Sequence, residues 1–228
     1  MAETLDSVHD SPDRRNAQLR RLPNYFCFWY DSGTTTNNKG AQSASGKCVR
    51  LTFVYFAYGS NMLTSRLVAR CASAQYIGNA SVENYALKFS KKSLDGSGKA
   101  TLVGTTNGTV QGALFEVEQS ERAFLDKAEG SDYERVDDFI VRISSTGEEI
   151  VSSTYVAVNT YDALRPYDWY LALVIAGANL HSLDVDYRRG LRLIKNTVDL
   201  NLERKSRLEA LRALEIAGYK DYRSVLIQ

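Results

Sequence analysis

Residues 51–61 read Leu51-Thr52-Phe53-Val54-Tyr55-Phe56-Ala57-Tyr58-Gly59-Ser60-Asn61, and the reading of the chain turns on them. The first eight are almost all apolar, β-branched or aromatic, a run of strand length that ends on turn formers. They imply a buried strand feeding a loop. Downstream, residues 76–82, 85–89, 101–105 and 110–117 read as short strands punctuated by Gly and Asn. Asn61 stands where it would cap a short helix over 62–70, and Ser120 where it would cap another over 120–128. That second helix closes at Gly130 and turns Phe124 and Leu125 inward. Residues 133–143 and 149–158 flank Ser145-Thr146-Gly147 as a hairpin. After Pro166 the pattern is helical, over 167–180, 185–198 and 202–217, the last closed by Gly218. Strands first and helices last imply an α+β fold rather than a doubly wound sheet.

Composition narrows the function. The 228 residues are 44% hydrophobic and 24% charged, with Lys+Arg 28 against Asp+Glu 27, so no global field favours nucleic acid or an anionic membrane. No stretch approaches the roughly 20 apolar residues needed to span a bilayer. Cys27, Cys48 and Cys71 include no C-x-x-C pair, and His9 and His181 are the only histidines. That pattern points away from a disulfide framework, a zinc site or a Ser/His relay, and toward the cytoplasm. The acidic start, residues 1–13, has no signal-like apolar core. Cys71 reads as a half-buried structural thiol, His181 as a surface or helix-end histidine, and Arg188-Arg189 as part of a solvated helix face.

Two regions emerge, an N-terminal extension over 1–50 and a main domain over 51–228. The extension holds Arg14-Arg15, Arg20-Arg21, the aromatic run Tyr25-Phe26-Cys27-Phe28-Trp29-Tyr30, and a linker-like, partly disordered stretch of small polar residues over 32–45. The aromatic run reads as a strand or turn that docks on the main domain or a partner. A nucleic-acid arm is the competing reading, and seven basic against five acidic residues in 1–50 give it little charge to work with.

Chemistry concentrates in two segments. At the end of the first strand of the main domain, Gly59, Ser60 and Asn61 can turn backbone N–H groups toward one point, an arrangement suited to a carboxylate or a developing oxyanion. Glu129 stands just before the helix-ending Gly130, where the negative end of the helix dipole disfavours an anion. Each segment alone reads as ordinary structure. Together, Phe56-Ala57-Tyr58-Gly59-Ser60-Asn61-Met62 and Leu125-Asp126 to Glu129-Gly130 with Tyr133 resemble the Y-G-S-N loop and the L-D-x-x-E-G segment of the γ-glutamylcyclotransferase superfamily. Tyr155 and the segment Tyr170 to Ala176-Gly177-Ala178 are similar to that family's strand tyrosine and Gly-Ala helix. The likeness runs over about residues 52–194 and includes Tyr187.

That resemblance implies a small mixed β-barrel with peripheral helices and a ring closure that needs neither metal nor cofactor. In it the substrate's own α-amine attacks its γ-carbonyl, releasing 5-oxoproline and an amine or amino acid. It casts Glu129 as the proton-transferring carboxylate, and Tyr58, Gly59, Ser60, Asn61, Tyr133, Tyr155 and Tyr170 as substrate-binding residues. The expected protein is cytoplasmic, belongs to glutathione metabolism, takes a small γ-glutamyl molecule rather than nucleic acid or membrane, and pairs as a homodimer. A cyclotransferase for γ-glutamyl amines or for a γ-glutamyl-protected metabolite is one alternative. A non-catalytic small-ligand binding module is another.

Overall fold

A computed structural model describes residues 17–22, 25–30 and 46–227. The chain separates into two compact units, Met1–Leu51 and Thr52–Gln228. In the first, β1 (Ala17–Leu22), β2 (Tyr25–Tyr30) and β3 (Gly46–Arg50) form an antiparallel sheet in the order β1-β2-β3. The aromatic run is its central strand, with Ala17 opposite Tyr30 and Cys27 opposite Cys48. The acidic start over 1–13, Arg14-Arg15 and the linker-like stretch over 32–45 lie outside the described residues.

The second unit is built on a closed barrel. Its strands are β4 (Thr52–Ala57), β5 (Gln75–Lys92), β6 (Gly98–Glu118), β7 (Tyr133–Ile143) and β8 (Glu149–Ala157), in the order β4-β6-β5-β7-β8. β4 pairs antiparallel with β6, placing Tyr55 opposite Phe115, and parallel with β8 at Tyr55 and Ser153, which closes the ring and makes it mixed. Neighbours on both edges and burial of successive residues Tyr55, Phe56 and Ala57 explain why β4 reads as a continuous apolar run rather than an alternating one. The four short strands expected over 76–117 are two long ones. The register of β5 on β6 shifts between Tyr76 and Gly78, inside the expected strand 76–82, and between Glu83 and Tyr85, at the expected break, where Glu83 pairs with Thr109 and Tyr85 with Gly104. Asn84, at φ 63, takes the left-handed conformation that the second bulge needs and that Asn tolerates.

The helices are α1 (Thr64–Val68), α2 (Arg122–Glu129), α3 (Asp168–Leu180), α4 (Val185–Arg192), α5 (Lys205–Ile216) and α6 (Ser224–Ile227). A 3-10 turn, Ser60–Met62, precedes α1, so Asn61 lies inside a turn and caps nothing. Ser120 likewise makes no cap for α2, since a second 3-10 turn, Gln119–Glu121, leads into it. On α2 Leu125 is fully buried while Phe124 is 60% exposed, correcting the expectation that both face inward. Helix α4 ends at Arg192, short of the expected residue 198.

Helix α3 is apolar all round and buried from Asp168 to Ala178, the pattern of a helix enclosed on every side. Gly177 lets it lie directly on the 3-10 turn. A Cβ there would stand 2.6 Å from both the Leu63 nitrogen and the Met62 Cβ. His181 closes the same contact, with Nε2 2.8 Å from the Met62 carbonyl and its ring stacked 4.2 Å from that of Tyr76. It is thus a buried helix-end histidine, not a surface one. Among the described residues no helix is long and apolar enough to cross a membrane.

Candidate active site

The end of β4, the 3-10 turn, the end of α2, the starts of β6 and β7, the end of β8 and helix α3 meet around one open-mouthed cavity. Its lining includes all eight residues singled out from sequence: Tyr58, Gly59, Ser60, Asn61, Glu129, Tyr133, Tyr155 and Tyr170. Tyr55 and Ala100 complete it. Gly59 adopts φ −113, which any residue can take, so its value is room rather than conformation. A Cβ there would approach that of Ala100 to 3.1 Å. The first hydrogen bond of the 3-10 turn runs from Met62 N to Gly59 O at 3.0 Å. The N–H groups of Gly59, Ser60 and Asn61 precede it, and the turn itself makes no use of them.

Glu129 is held by one oxygen. Asn61 Nδ2 donates to Oε1 at 2.7 Å, and Arg70 Nη1 donates to the same atom at 3.0 Å. Arg70 also donates to Asn61 Oδ1 at 2.9 Å, while Asn61 Nδ2 donates to the Tyr55 hydroxyl at 3.0 Å. This fixes the orientation of the Asn61 amide, because a flip would set its oxygen against the carboxylate. The described residues place no donor on Oε2, so one carboxylate oxygen is anchored and the other is open. The Arg70–Glu129 pair is mostly buried, with side chains 22% and 16% exposed, which makes it stronger than a surface ion pair.

The tyrosines differ in where their protons go. Tyr133 donates to the Ala100 carbonyl at 2.6 Å, Tyr155 to Asp126 Oδ1 at 2.7 Å, and Tyr58 to the Tyr155 carbonyl. Each of these can still accept a hydrogen bond, but its proton is already engaged. Tyr170 instead accepts from the Ala100 N–H at 3.2 Å, and Tyr55 accepts from Asn61, so both keep a proton to donate. Burial, reinforced by the charge of Glu129, holds Tyr55 and Tyr58 well above the usual phenol range. Burial likewise raises Tyr133, Tyr155 and Tyr170, so all five are neutral phenols near pH 7.

Several contributors were not visible in the sequence. Arg70 lies 59 positions from Glu129 in a turn without a signature. Tyr55 carries one faint signal, since it lies on the buried apolar strand that leads into the loop. Arg66 donates from Nε to Ser60 Oγ at 3.2 Å, and burial beside Arg70 brings its guanidinium down to about 10. Asp126 anchors Tyr155 and is paired with Arg135 at 2.6 Å; against the opposing effect of burial, these partners hold its carboxyl below the ordinary range. Cys71 is fully buried and its thiol is pushed up to about 11 by that burial, away from reactive chemistry. Among the described residues, no three His, Cys, Asp or Glu side chains are grouped to hold a metal ion.

The small mixed barrel with peripheral helices is shared with γ-glutamyl cyclotransferases. A solved structure of a γ-glutamyl cyclotransferase superposes with a TM-score of 0.64 at 25% identity, covering 71% of this chain and 98% of that one. Residues 109–191 match the AIG2-like family. The chain is 30% identical over 149 residues to the γ-glutamylcyclotransferase of Bos taurus, covering 63% of this chain and 79% of that protein. It is 28% identical over 164 residues to the γ-glutamylcyclotransferase of Homo sapiens, covering 69% and 86%. The chain belongs to the γ-glutamylcyclotransferase family.

Proposed function

We propose that this protein is a γ-glutamylcyclotransferase that converts γ-glutamyl amino acids to 5-oxoproline and the free amino acid, with Glu129 moving the protons. The observation that carries this reading is Glu129 itself, which lines the cavity with Oε1 tied to Arg70 and Asn61 and, among the described residues, no donor on Oε2. Family membership supports it from a separate direction.

The reaction is intramolecular, so the protein's main task is to hold the glutamyl chain in its ring-closing rotamer, a constraint worth effective molarities of roughly 10⁵ M or more. Glu129 Oε2 takes a proton from the α-ammonium. The freed amine attacks the γ-carbonyl carbon, forming the ring C–N bond and an oxyanion. Collapse breaks the old C–N bond. The ring nitrogen goes from three N–H bonds to one, and the departing nitrogen from one to three, so two protons cross. Glu129 carries them in turn. The N–H groups of Gly59, Ser60 and Asn61 and the unengaged protons of Tyr55 and Tyr170 are the donors for substrate oxygens, including the developing oxyanion. Tyr133, whose proton goes to Ala100, can accept from the ammonium, and Tyr58 and Tyr155 complete the wall.

A cytoplasmic, metal-independent homodimer acting in glutathione-linked metabolism is the wider reading that the resemblance supports; the sedimentation mass of the purified protein decides the dimer. The direct test is mass-spectrometric detection of 5-oxoproline from γ-glutamyl amino acids, γ-glutamyl amines and glutathione. The Glu129→Gln variant is expected to lose roughly 10²-fold or more in turnover while still binding substrate. Turnover from that variant near the wild-type rate would remove Glu129 from its role. Product from amines alone would move the assignment to that class, and no product from any substrate would leave a binding module.

A further inference from the structure

Beside the cavity runs a wider groove that shares Glu129 with it, and Lys91 lies along that groove. Because Glu129 lines both the cavity and this groove, a departing group that stays within reach of Glu129 has the groove as its way out. In an α-amino acid the carboxyl carbon lies about 2.5 Å from the nitrogen, two bonds away. A leaving amino acid therefore brings its negative charge into the near end of the groove.

The charges there are unevenly matched. The groove's acids each have a cation: Glu129 has Arg70, Asp95 has Lys99, Asp132 has Lys91, and Glu209 has Lys205 at 3.9 Å. Arg204 pairs with Asp199, outside the groove lining. Lys127, two residues before Glu129, has no acid within ion-pair distance among the described residues. Lys91 is the unusual member. It is only 7% exposed, yet its single acidic partner, Asp132 at 3.1 Å, is 61% exposed and so screened by water. Its Nζ lies 5.3 Å from the ring centroid of Tyr133, a wall residue of the catalytic cavity. An ammonium has three N–H donors, and one carboxylate oxygen takes one of them. A buried cation with donors to spare, at the exit from the reacting centre, is arranged for an incoming anion.

Resting on the cyclotransferase reading, we propose that Lys91 binds the carboxylate of the departing amino acid and so selects γ-glutamyl amino acids over γ-glutamyl amines. The experiment measures kcat/KM for γ-glutamyl-alanine and γ-glutamyl-ethylamide, which differ only by that carboxylate, in the wild type and in Lys91→Met and Lys91→Arg. The wild type should prefer γ-glutamyl-alanine by roughly tenfold or more, the worth of one charge-assisted hydrogen bond. Lys91→Met should abolish that preference by lowering the γ-glutamyl-alanine value alone, and Lys91→Arg should restore part of it. Equal losses on both substrates would assign Lys91 a structural role and overturn the proposal. So would a wild type with no preference, an outcome that needs no variant to fold. A wild type that forms 5-oxoproline from neither substrate would overturn the cyclotransferase reading itself.

Discussion

At the scale of single residues, the site depends on asymmetry in one carboxylate. Both protein donors fall on Oε1 of Glu129, so the plane of the group is set while Oε2 keeps its lone pairs for substrate. Arg70 is the positioning residue in this arrangement, because it grips Glu129 and Asn61 with the same Nη1. Arg70→Leu leaves Asn61 as the sole anchor and frees both side chains to rotate. The expected result is a fall in kcat of roughly tenfold to a hundredfold with a smaller change in KM, since a charged hydrogen bond of about 1.5–3 kcal/mol is lost at the reacting group. Partial recovery in Arg70→Lys should follow, from the restored charge without the shared fork geometry. A steady-state comparison that shows KM rising with kcat unchanged would mean Arg70 acts on binding instead. Glu129 and the Y-G-S-N loop were legible because they form contiguous, spaced patterns. Arg70 was not, because nothing local marks a residue whose partner lies 59 positions away.

At the scale of elements, the sequence announced β4, the β7–β8 hairpin and the helix α3, each a contiguous local pattern. It misled where a local rule lost to tertiary pairing. Asn84, between the expected strands 76–82 and 85–89, looks like a strand end, yet β5 runs through it and pairs with β6 on both sides, Glu83 with Thr109 and Tyr85 with Gly104. Asn61 has the composition of a helix cap, yet its amide is drawn to Glu129 and Arg70, partners supplied by the fold. The element contact that matters most for function is α3 on the 3-10 turn. Gly177→Ala would place a methyl 2.6 Å from backbone and side-chain atoms of Leu63 and Met62, and the turn next to it carries Ser60 and Asn61. Overpacking of this kind costs about 1–3 kcal/mol, and Tm should fall by roughly 2–4 °C for each of these. Thermal unfolding and activity should decline together. A variant with a lowered Tm and full kcat would show that the turn does not transmit its position to the site.

At the scale of the whole molecule, the same α3-to-turn junction makes stability depend on pH through His181. The imidazole is buried, donates from Nε2 to the Met62 carbonyl, and packs between the rings of Tyr76 and Phe115. Thr64 Oγ1 lies 3.3 Å from the same nitrogen, and among the described residues no ion pair involves this ring. A second proton on the ring would place a charge where only the neutral tautomer is accommodated, so burial lowers the histidine below its ordinary 6.5. The sign follows from linkage: the unfolded chain takes up the proton first as pH falls. The contribution of His181 is therefore complete above about pH 6.5 and is lost as pH drops through its folded value. The carboxylates of Asp95, Asp126, Asp137 and Asp199 are held below 3.8, so their contributions persist until more acidic conditions. Between pH 7.5 and 5.5 the wild-type Tm should accordingly fall more steeply than that of His181→Gln, a neutral donor that can still reach Met62. Because every other titrating group is common to both proteins, the difference between the two curves isolates this ring. Parallel curves would show that His181 is protonated in the folded protein as readily as in the unfolded chain, and that the turn carrying Ser60 and Asn61 is held without it.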